Sequence, residues 1–272
     1  MNTRKILLSI LTVGAVGSLA YFGYTRAFFS DVETSTGNTF VAGEIDLKLN
    51  NESYIDQGNG LEVSEGTTWG IPNGTDSAGL FFDFTDLKPG DLGEDTISIH
   101  LSSNPAWVCA DLDITANSDE SCTEPENTDE GNACVVETNG FNGDLAQGLN
   151  FVFWKDDGDN VLETEEQVLT QGPANNVLGG VTWALADSQT GDNLPMQPGV
   201  TYIGKAWCFG QLTTNALPED TTGPLVRGNS VLCDGSAVNN VGQTDKLMGD
   251  VSFRAVQARH NDQFVCTRPT VN

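Results

Sequence analysis

Basic side chains are scarce in this sequence. Its 272 residues include 12 lysines and arginines against 38 acidic residues, and the formal net charge is −26. A surface of that sign repels phosphate backbones and acidic lipid headgroups, so nucleic acid is excluded as a partner and divalent cations are favoured. Hydrophobic residues make up 38% of the chain and charged residues only 18%, a composition typical of a folded protein rather than of a disordered acidic tail.

Histidine is scarce too, and the usual catalytic signatures are missing. The two histidines, His100 and His260, stand apart, and the chain contains no His-Glu-x-x-His motif, no Gly-x-Ser-x-Gly elbow and no glycine-rich phosphate loop. Carboxylates are too numerous for any one pair to indicate a glycosidase. The sequence therefore predicts a protein that is not an enzyme.

Sustained helical periodicity is also lacking, so long helices are not expected. Short apolar runs instead alternate with turn signals such as Asn73-Gly74 and Pro198-Gly199. They predict an all-β fold over residues 39–272, an antiparallel β-sandwich with long acidic loops. The run 149–154 has the pattern of a strand buried on both faces. The other predicted strands are 45–49, 97–101, 106–114, 181–185, 201–212 and 251–256.

The N-terminus carries the longest uncharged apolar run. A basic pair precedes residues 6–20, a run that is marginal for a bilayer span but suits the hydrophobic region of an export signal. Thr25 and Ala27 supply small residues at the −3 and −1 positions. Residues 1–27 are therefore predicted to be a signal peptide, with an uncleaved membrane anchor as the alternative. The mature protein is expected to be secreted, extracellular or at the cell surface, and to meet a membrane only through the signal before cleavage.

Six cysteines follow the predicted signal, without a Cys-x-x-Cys pair or a Cys/His cluster. An even number in an exported chain predicts three disulfides rather than a zinc site or a redox dithiol. Six cysteines allow fifteen pairing schemes, among which the sequence does not choose. The scheme we prefer has two short polar loops closed by disulfides and pairs the remaining two cysteines. Its bonds are Cys122–Cys134, Cys208–Cys233 and Cys109–Cys266.

The residues that follow the predicted signal resemble a known family. Residues 27–47 read AFFSDVETSTGNTFVAGEIDL, and residues 87–91 read LKPGD. The aromatic-Ser-Asp segment, the Asn-Thr-Phe-x-Ala-Gly-x-(Leu/Ile)-Asp-Leu strand and the Lys-Pro-Gly-Asp turn resemble the TasA/camelysin family of exported proteins. The resemblance covers residues 1–115 and leaves out the cysteine-rich, acidic remainder.

This resemblance implies that the sandwich is jelly-roll-like and that the protein is a subunit of extracellular filaments, of the kind found in biofilm matrices and archaeal bundling pili. Such subunits polymerise with copies of themselves by donor-strand exchange, in which a segment of one subunit completes the sheet of the next. Residues 28–38 would be the donor, with Phe28, Phe29 and Val32 entering the neighbour. The alternative is that this segment forms the first strand of its own sandwich.

Two other functions compete with the filament subunit. One is a monomeric cell-surface adhesin or carbohydrate-binding module, in which exposed aromatic residues such as Trp69 or Trp183 would line a groove. The other is a camelysin-like metalloprotease, a function attributed to the family. The protease is disfavoured because the zinc-binding motif is missing.

A carboxylate-rich turn follows the predicted strand 149–154. Calcium takes six to eight hard oxygen ligands, which closely spaced Asp and Glu residues around a glycine supply. The helix-loop-helix calcium pattern fails, because Lys155 falls where the first carboxylate is expected and Gly158 is out of place. The sequence predicts an irregular calcium loop, with a solvated acidic hairpin tip as the alternative. The expected calcium ligands are Asp156, Asp157, Asp159, Glu163 and Glu166.

A second acidic tract spans residues 111–130 and contains no lysine or arginine. It is expected to be a solvated loop pinned by Cys122 and Cys134, with a bound metal ion as the alternative, since mutually repelling carboxylates benefit from a counterion. The carboxylates of this tract are Asp111, Asp113, Asp119, Glu120, Glu124, Glu126, Asp129 and Glu130.

Overall fold

A computed structural model describes residues 45–71, 79–102, 104–138, 140–190 and 193–268. The predicted signal peptide, 1–27, and the predicted donor segment, 28–38 with Phe28, Phe29 and Val32, lie outside these residues. Within the described ranges, no helix has both the length and the apolar character needed to span a bilayer.

Strands dominate the described chain, and the few helices are only four to six residues long. The chain is 44% strand and 10% helix, which confirms the predicted all-β fold. The strands are β1 (Asp46–Asp56), β2 (Glu62–Val63), β3 (Leu92–Ser102), β4 (Ala106–Asp119), β5 (Leu149–Asp156), β6 (Val168–Pro173), β7 (Val181–Ala186), β8 (Gly199–Phe209), β9 (Gln211–Thr214), β10 (Val231–Asp234) and β11 (Asp245–Gln257). The helices are α1 (Glu124–Asp129), α2 (Leu145–Gly148), α3 (Ala174–Val177) and α4 (Pro224–Arg227), and Asn240–Gly242 form a 3₁₀ turn.

The strands form three antiparallel sheets of unequal size. The largest has the order β2-β1-β3-β8-β5-β6, the second has the order β11-β4-β7, and β9 pairs with β10 in the third. The main apolar core lies between the six-stranded and three-stranded sheets. A smaller core lies on the opposite face of the six-stranded sheet, beneath β9 and β10. The molecule is therefore a sandwich with an additional, partial third layer.

Strand β5 shows how sequence pattern and layering correspond. Phe151 and Phe153 point into the main core, whereas Val152 and Trp154 point into the smaller core. None of these four side chains is more than 3% exposed. The prediction of a strand buried on both faces is confirmed, because alternate residues of a strand project to opposite faces and here both faces are covered.

Some strand boundaries differ from those expected. The predicted run 201–212 is divided between β8 and β9 at Gly210, where φ is 142° and an added Cβ would lie 2.4 Å from the carbonyl oxygen of Asp234. Strand β6 was not expected, since it ends in Gly172-Pro173, a dipeptide that normally marks a turn. Strand β10 was missed because four residues are too few to show a period.

Three disulfides cross-link the sandwich, and they are the three that we preferred from the sequence. Cys122–Cys134 closes the loop after β4, Cys208–Cys233 joins β8 to β10, and Cys109–Cys266 fastens the C-terminal segment to β4. No cysteine is free. Three disulfides indicate an oxidising, extracellular environment.

Candidate calcium loop and open sheet edge

The 156–166 loop gathers all five predicted calcium ligands. One oxygen from each of Asp156, Asp157 and Asp159 lies within 4.8 Å of the others, and the same holds for Asp157, Glu163 and Glu166. Asp157 belongs to both groups and so occupies the middle of the cluster. This spacing suits a small cation surrounded by oxygen ligands.

Local hydrogen bonds explain why the loop folds in this way. The Asp156 carboxylate accepts from the backbone N–H groups of Gly158 and Asn160, at 3.2 and 3.3 Å. Both donors have positive φ, 115° for Gly158 and 63° for Asn160, a conformation that glycine and asparagine adopt most readily. The chain therefore curls around the Asp156 side chain and brings the later carboxylates back toward it.

An arginine from α4 neutralises part of the loop. Arg227 Nη1 lies 3.1 Å from Asp159 Oδ2 and 2.5 Å from Glu163 Oε1. Glu163 is only 1% exposed, and its Oε1 also accepts from the backbone N–H of Asp220 at 2.8 Å. Arg227 was not predicted to be part of the site, because it lies far along the chain from the loop, in a segment without a recognisable motif. Two of the five expected ligands therefore already have a cation as a partner.

Burial makes Asp156, Asp159 and Glu166 reluctant to ionise, and it raises the pKa of Asp159 to about 6 even beside Arg227. It raises the pKa of Asp156 to about 6, against opposing hydrogen bonds from Trp154, Asn160 and Thr96. It raises the pKa of Glu166 to about 8, and the charges of Asp156 and Glu163 add to the effect. A divalent cation at the loop would favour the ionised forms and displace these protons.

The second acidic tract is divided by the fold. Asp111 and Asp113 lie on the outer face of the three-stranded sheet, where they pair with Arg254 and Arg268. Asp111, Asp119 and Glu126 are buried, at 7%, 2% and 0% exposure. The expectation of a solvated loop is therefore wrong for these three side chains and for residues 111–119, which belong to β4.

A helix cap is the reason that Glu126 turns inward. Thr123 caps α1, and the Glu126 carboxylate accepts from the Thr123 backbone N–H at 2.8 Å in a capping box. The Thr-x-x-Glu spacing was a signal of this turn in the sequence. Asp119 lies beside Asp245 at the start of β11, and burial together with this neighbour raises the pKa of Asp245 to about 7.

The three-stranded sheet leaves part of the main core open along β11. Leu247, Val251 and Phe253 pack against the core but are only partly buried, whereas Ala110 and Leu112 of the adjacent β4 are fully buried. In the described part of the chain, no strand pairs with the side of β11 opposite β4. A long edge of this kind offers unpaired backbone groups and apolar surface to another strand.

The tryptophans named in the adhesin alternative pack against other aromatic side chains. Trp69 donates its ring N–H to the Leu80 carbonyl at 3.0 Å and packs 5.3 Å from the Phe81 ring. Trp183 packs 4.5 Å from the Phe153 ring. Trp107, Trp154 and Trp207 are buried, and Trp69 and Trp183 are partly buried. The contacts of Trp69 and Trp183 are therefore those of side chains at the border of the core. They pack against the core because sandwich interiors favour large aromatic side chains.

Histidine takes no part in any candidate metal group of the described residues. His100 instead lies 3.0 Å from the side-chain oxygen of Asn50 on the neighbouring strand. No protein-family model matches the chain, and no curated protein sequence matches it.

Proposed function

We propose that this protein is a secreted structural subunit of extracellular filaments that polymerises by donor-strand exchange. The observation that carries the proposal is the open edge at β11, where a strand of 13 residues has partly buried apolar side chains and no strand from the described residues on its outer side. Soluble proteins normally protect such an edge, because it otherwise templates association. A strand from a neighbouring copy protects the edge and links the two subunits at once.

Residues 28–38 have the length and pattern to fill this edge. Side chains alternate between the two faces of a strand, so Phe28 and Val32 project to the same face and Phe29 to the other. Added beside β11, the segment would gain backbone hydrogen bonds and cover Val251 and Phe253 with Phe28 and Val32. Eleven donor residues opposite an acceptor of 13 leave little of the edge unprotected.

Charge gives calcium a role in this assembly. A chain with a net charge of −26 repels its own copies, and divalent cations reduce that repulsion. In the 156–166 loop, Asp156, Asp157 and Glu166 lack the arginine contact that Asp159 and Glu163 have. We propose that these three form the core of a calcium site in this loop. Secretion agrees with the three disulfides and with the predicted signal peptide.

Electron microscopy of two purified forms tests the proposal. A chain beginning at residue 28 should form filaments in calcium, and a chain beginning at residue 39 should remain folded but monomeric. Replacing Phe28 and Phe29 with alanine should weaken each junction by about 3–5 kcal/mol, the usual cost of removing a buried phenylalanine side chain. Filaments of normal length from the chain that begins at residue 39 would contradict the proposal.

A matched control separates the apolar contacts from a general effect on the segment. Ser35→Ala combined with Thr36→Ala changes the same stretch without removing an apolar side chain, so its filaments should be unchanged. A synthetic peptide of residues 28–38 should shorten the filaments formed by the longer chain, because it occupies β11 without adding a further subunit. An intact chain that stays monomeric at high concentration in calcium would favour the adhesin alternative.

A further inference from the structure

Four acidic side chains from separate parts of the chain converge at one end of the three-stranded sheet. Asp119 ends β4, Glu126 lies in α1 and Asp245 begins β11, and one oxygen from each lies within 4.8 Å of the other two. An oxygen of Glu130, just after α1, also lies within 4.8 Å of one from Asp119. We refer to Asp119, Glu126, Glu130 and Asp245 as the Asp119 cluster.

Strand pairing sets two of these charges directly against each other. Asp119 and Asp245 are register partners in the antiparallel pair of β4 and β11. Like charges at directly opposed positions destabilise a sheet. When this pair and the two carboxylates beside it are ionised, a cation at the same place would stabilise them.

Each of three carboxylates is held in position through one of its oxygens. Asn142 donates from Nδ2 to Asp119 Oδ2 at 2.9 Å, and Thr123 N–H donates to Glu126 Oε2 at 2.8 Å. Asp245 Oδ2 accepts from the backbone N–H groups of Asp144 and Leu145, at 2.6 and 2.9 Å. These bonds fix the orientation of the second oxygen of each carboxylate.

When the carboxylates are ionised, their second oxygens are buried and accept no hydrogen bond from the described residues. They are Asp119 Oδ1, Glu126 Oε1, Glu130 Oε1 and Asp245 Oδ1. A buried carboxylate oxygen without a partner is costly, and folded proteins normally satisfy such atoms. Four of them in one cluster, two on side chains that are 2% exposed or less, indicate that a ligand completes the site.

No basic side chain of the described chain serves as that ligand. The ion pairs of lysine and arginine in the described ranges involve other carboxylates. Cys134 is near Asp119, but its sulfur is committed to the disulfide with Cys122. The available ligand atoms are therefore all carboxylate oxygens.

We propose that the Asp119 cluster binds a calcium ion, separately from the 156–166 loop. Carboxylate oxygens are hard ligands, and the absence of histidine and free thiolate from the cluster disfavours zinc and copper. Two oxygens on opposite sides of a calcium ion are about 4.6–5.2 Å apart, so oxygens within 4.8 Å of one another can share it. Calcium is chosen over magnesium because magnesium usually binds through one or two carboxylates and keeps several waters, whereas four carboxylates meet here. Water would complete the coordination.

A calcium ion here would join three elements. It would tie the end of β4 to α1 and to the start of β11, beside the loop closed by Cys122–Cys134. The inference is independent of the filament proposal, since it concerns a single folded chain.

Calorimetric titration of the chelator-treated chain with calcium chloride tests this site, with thermal unfolding measured in parallel. Glu126→Gln keeps an oxygen that accepts from Thr123 N–H but removes the charge, so the fold should persist. We expect its calcium affinity at this site to fall at least about 100-fold, beyond the effect typical of changes outside the ligand shell. Glu124→Gln, an exposed change on the same helix, is the matched control and should bind calcium normally.

Other outcomes are equally decisive. If Glu126→Gln fails to fold, Asp245→Asn gives the second test, because an asparagine oxygen still accepts from the Asp144 and Leu145 N–H groups. An equal number of bound ions and an equal affinity in wild type and variant would overturn the proposal, as would no calcium binding at all up to about 10 mM, above the range of weak calcium sites. Magnesium binding as tight as that of calcium would overturn the choice of metal. If Asp157→Asn loses all calcium binding and Glu126→Gln loses none, the 156–166 loop and not the Asp119 cluster is the calcium site.

Discussion

The 156–166 loop and the Asp119 cluster both bury carboxylates, but they are balanced differently. The loop has Arg227, whose guanidinium contacts Asp159 and Glu163. The Asp119 cluster has backbone and amide donors on one oxygen of three of its carboxylates and, within the described chain, no basic side chain. Two clusters of Asp and Glu residues thus differ in their counterion. The loop has an arginine of the same chain, and the Asp119 cluster would be balanced by a bound cation.

Because of this difference, the two sites should contribute to the stability of the folded chain in different ways. A buried charge with an internal partner depends on that partner, and its removal leaves an uncompensated charge. A buried cluster without a partner depends on the concentration of a ligand that binds the folded state. The stability that the loop contributes should therefore depend more strongly on one arginine, and the stability that the Asp119 cluster contributes should depend more strongly on calcium, which chelators remove.

The largest expected effect is that of Arg227→Met. This change leaves buried Glu163 and Asp159 without their cation, and we expect it to reduce the free energy of unfolding by about 3–5 kcal/mol in chelator. Chemical denaturation measures the loss, and calcium should restore part of it by taking the place of the guanidinium. Arg268→Met is the control, because its pair with Asp113 is about half exposed and should contribute at most about 1 kcal/mol. Equal losses in the two variants would remove the contrast between an internal counterion and a surface pair.

Removing a disulfide should distinguish the two acidic regions. Cys122→Ser with Cys134→Ser should cost about 3 kcal/mol, by the loop-entropy relation. It should also weaken calcium binding at the Asp119 cluster, because the disulfide closes the loop that carries Glu126 and Glu130. Cys208→Ser with Cys233→Ser should cost a similar free energy and leave this calcium affinity intact. Calorimetry on both variants would contradict the assignment if the two lost calcium affinity equally.

Glu94 is a buried acid for which we propose neither an arginine partner nor a bound cation, and its effect should appear in the pH dependence of stability. Burial raises its pKa well above the ordinary 4.5, and the charges of Asp95 and Asp156 add to the effect. The folded chain therefore holds a proton that the unfolded chain releases, so stability should fall as pH rises above about 4.5. Glu94→Gln should lack this part of the pH dependence and exceed the wild type in stability at pH 8 but not at pH 4. Denaturation at several pH values in chelator checks this, and parallel pH curves would contradict it.

The smallest effect is expected for Asp157→Asn in the absence of calcium. Asp157 is exposed, and an asparagine keeps the oxygen that accepts from the Asp159 N–H. The free energy of unfolding should change by no more than about 0.5 kcal/mol. Thermal unfolding with added calcium then isolates the loop site, because only the stabilisation that arises at this loop should be lost. A variant stabilised by calcium as much as the wild type would show that the loop is not a calcium site.

The strands were predictable where one period dominates. In β3 and β11 the alternation of apolar residues locates the strand, because the two faces of a sheet alternate along the chain, and in β5 a continuous apolar run does so, because both faces are buried. The same reasoning missed β6 and β10, whose side chains are mostly exposed or only partly buried and which are recognised by their pairing with β5 and β9. A short edge strand is recognised by the strand that it pairs with, and the local sequence gives no information about that partner.

The candidate sites divide in the same way. The ligands of the 156–166 loop are near one another in sequence, so their spacing was sufficient to predict a cluster. Arg227 and Asp245 reach their positions through α4 and through the pairing of β4 with β11, which only the folded chain establishes. The disulfide scheme agrees with the structure, although Cys109–Cys266 followed only from setting aside the other four cysteines.

The Cys109–Cys266 bond has a mechanical consequence. It joins residues 157 positions apart, so the segment between them is a closed covalent loop that tension applied at the chain ends does not extend. At about 3.4 Å per extended residue, the enclosed segment would be roughly 500 Å long if fully extended, and the disulfide prevents this extension. Force applied near the C-terminus passes through the sulfur atoms directly to β4, without first peeling away β11. A chain held under load would therefore yield in the residues before β4, and the sandwich beyond Cys109 would behave as a nearly inextensible block.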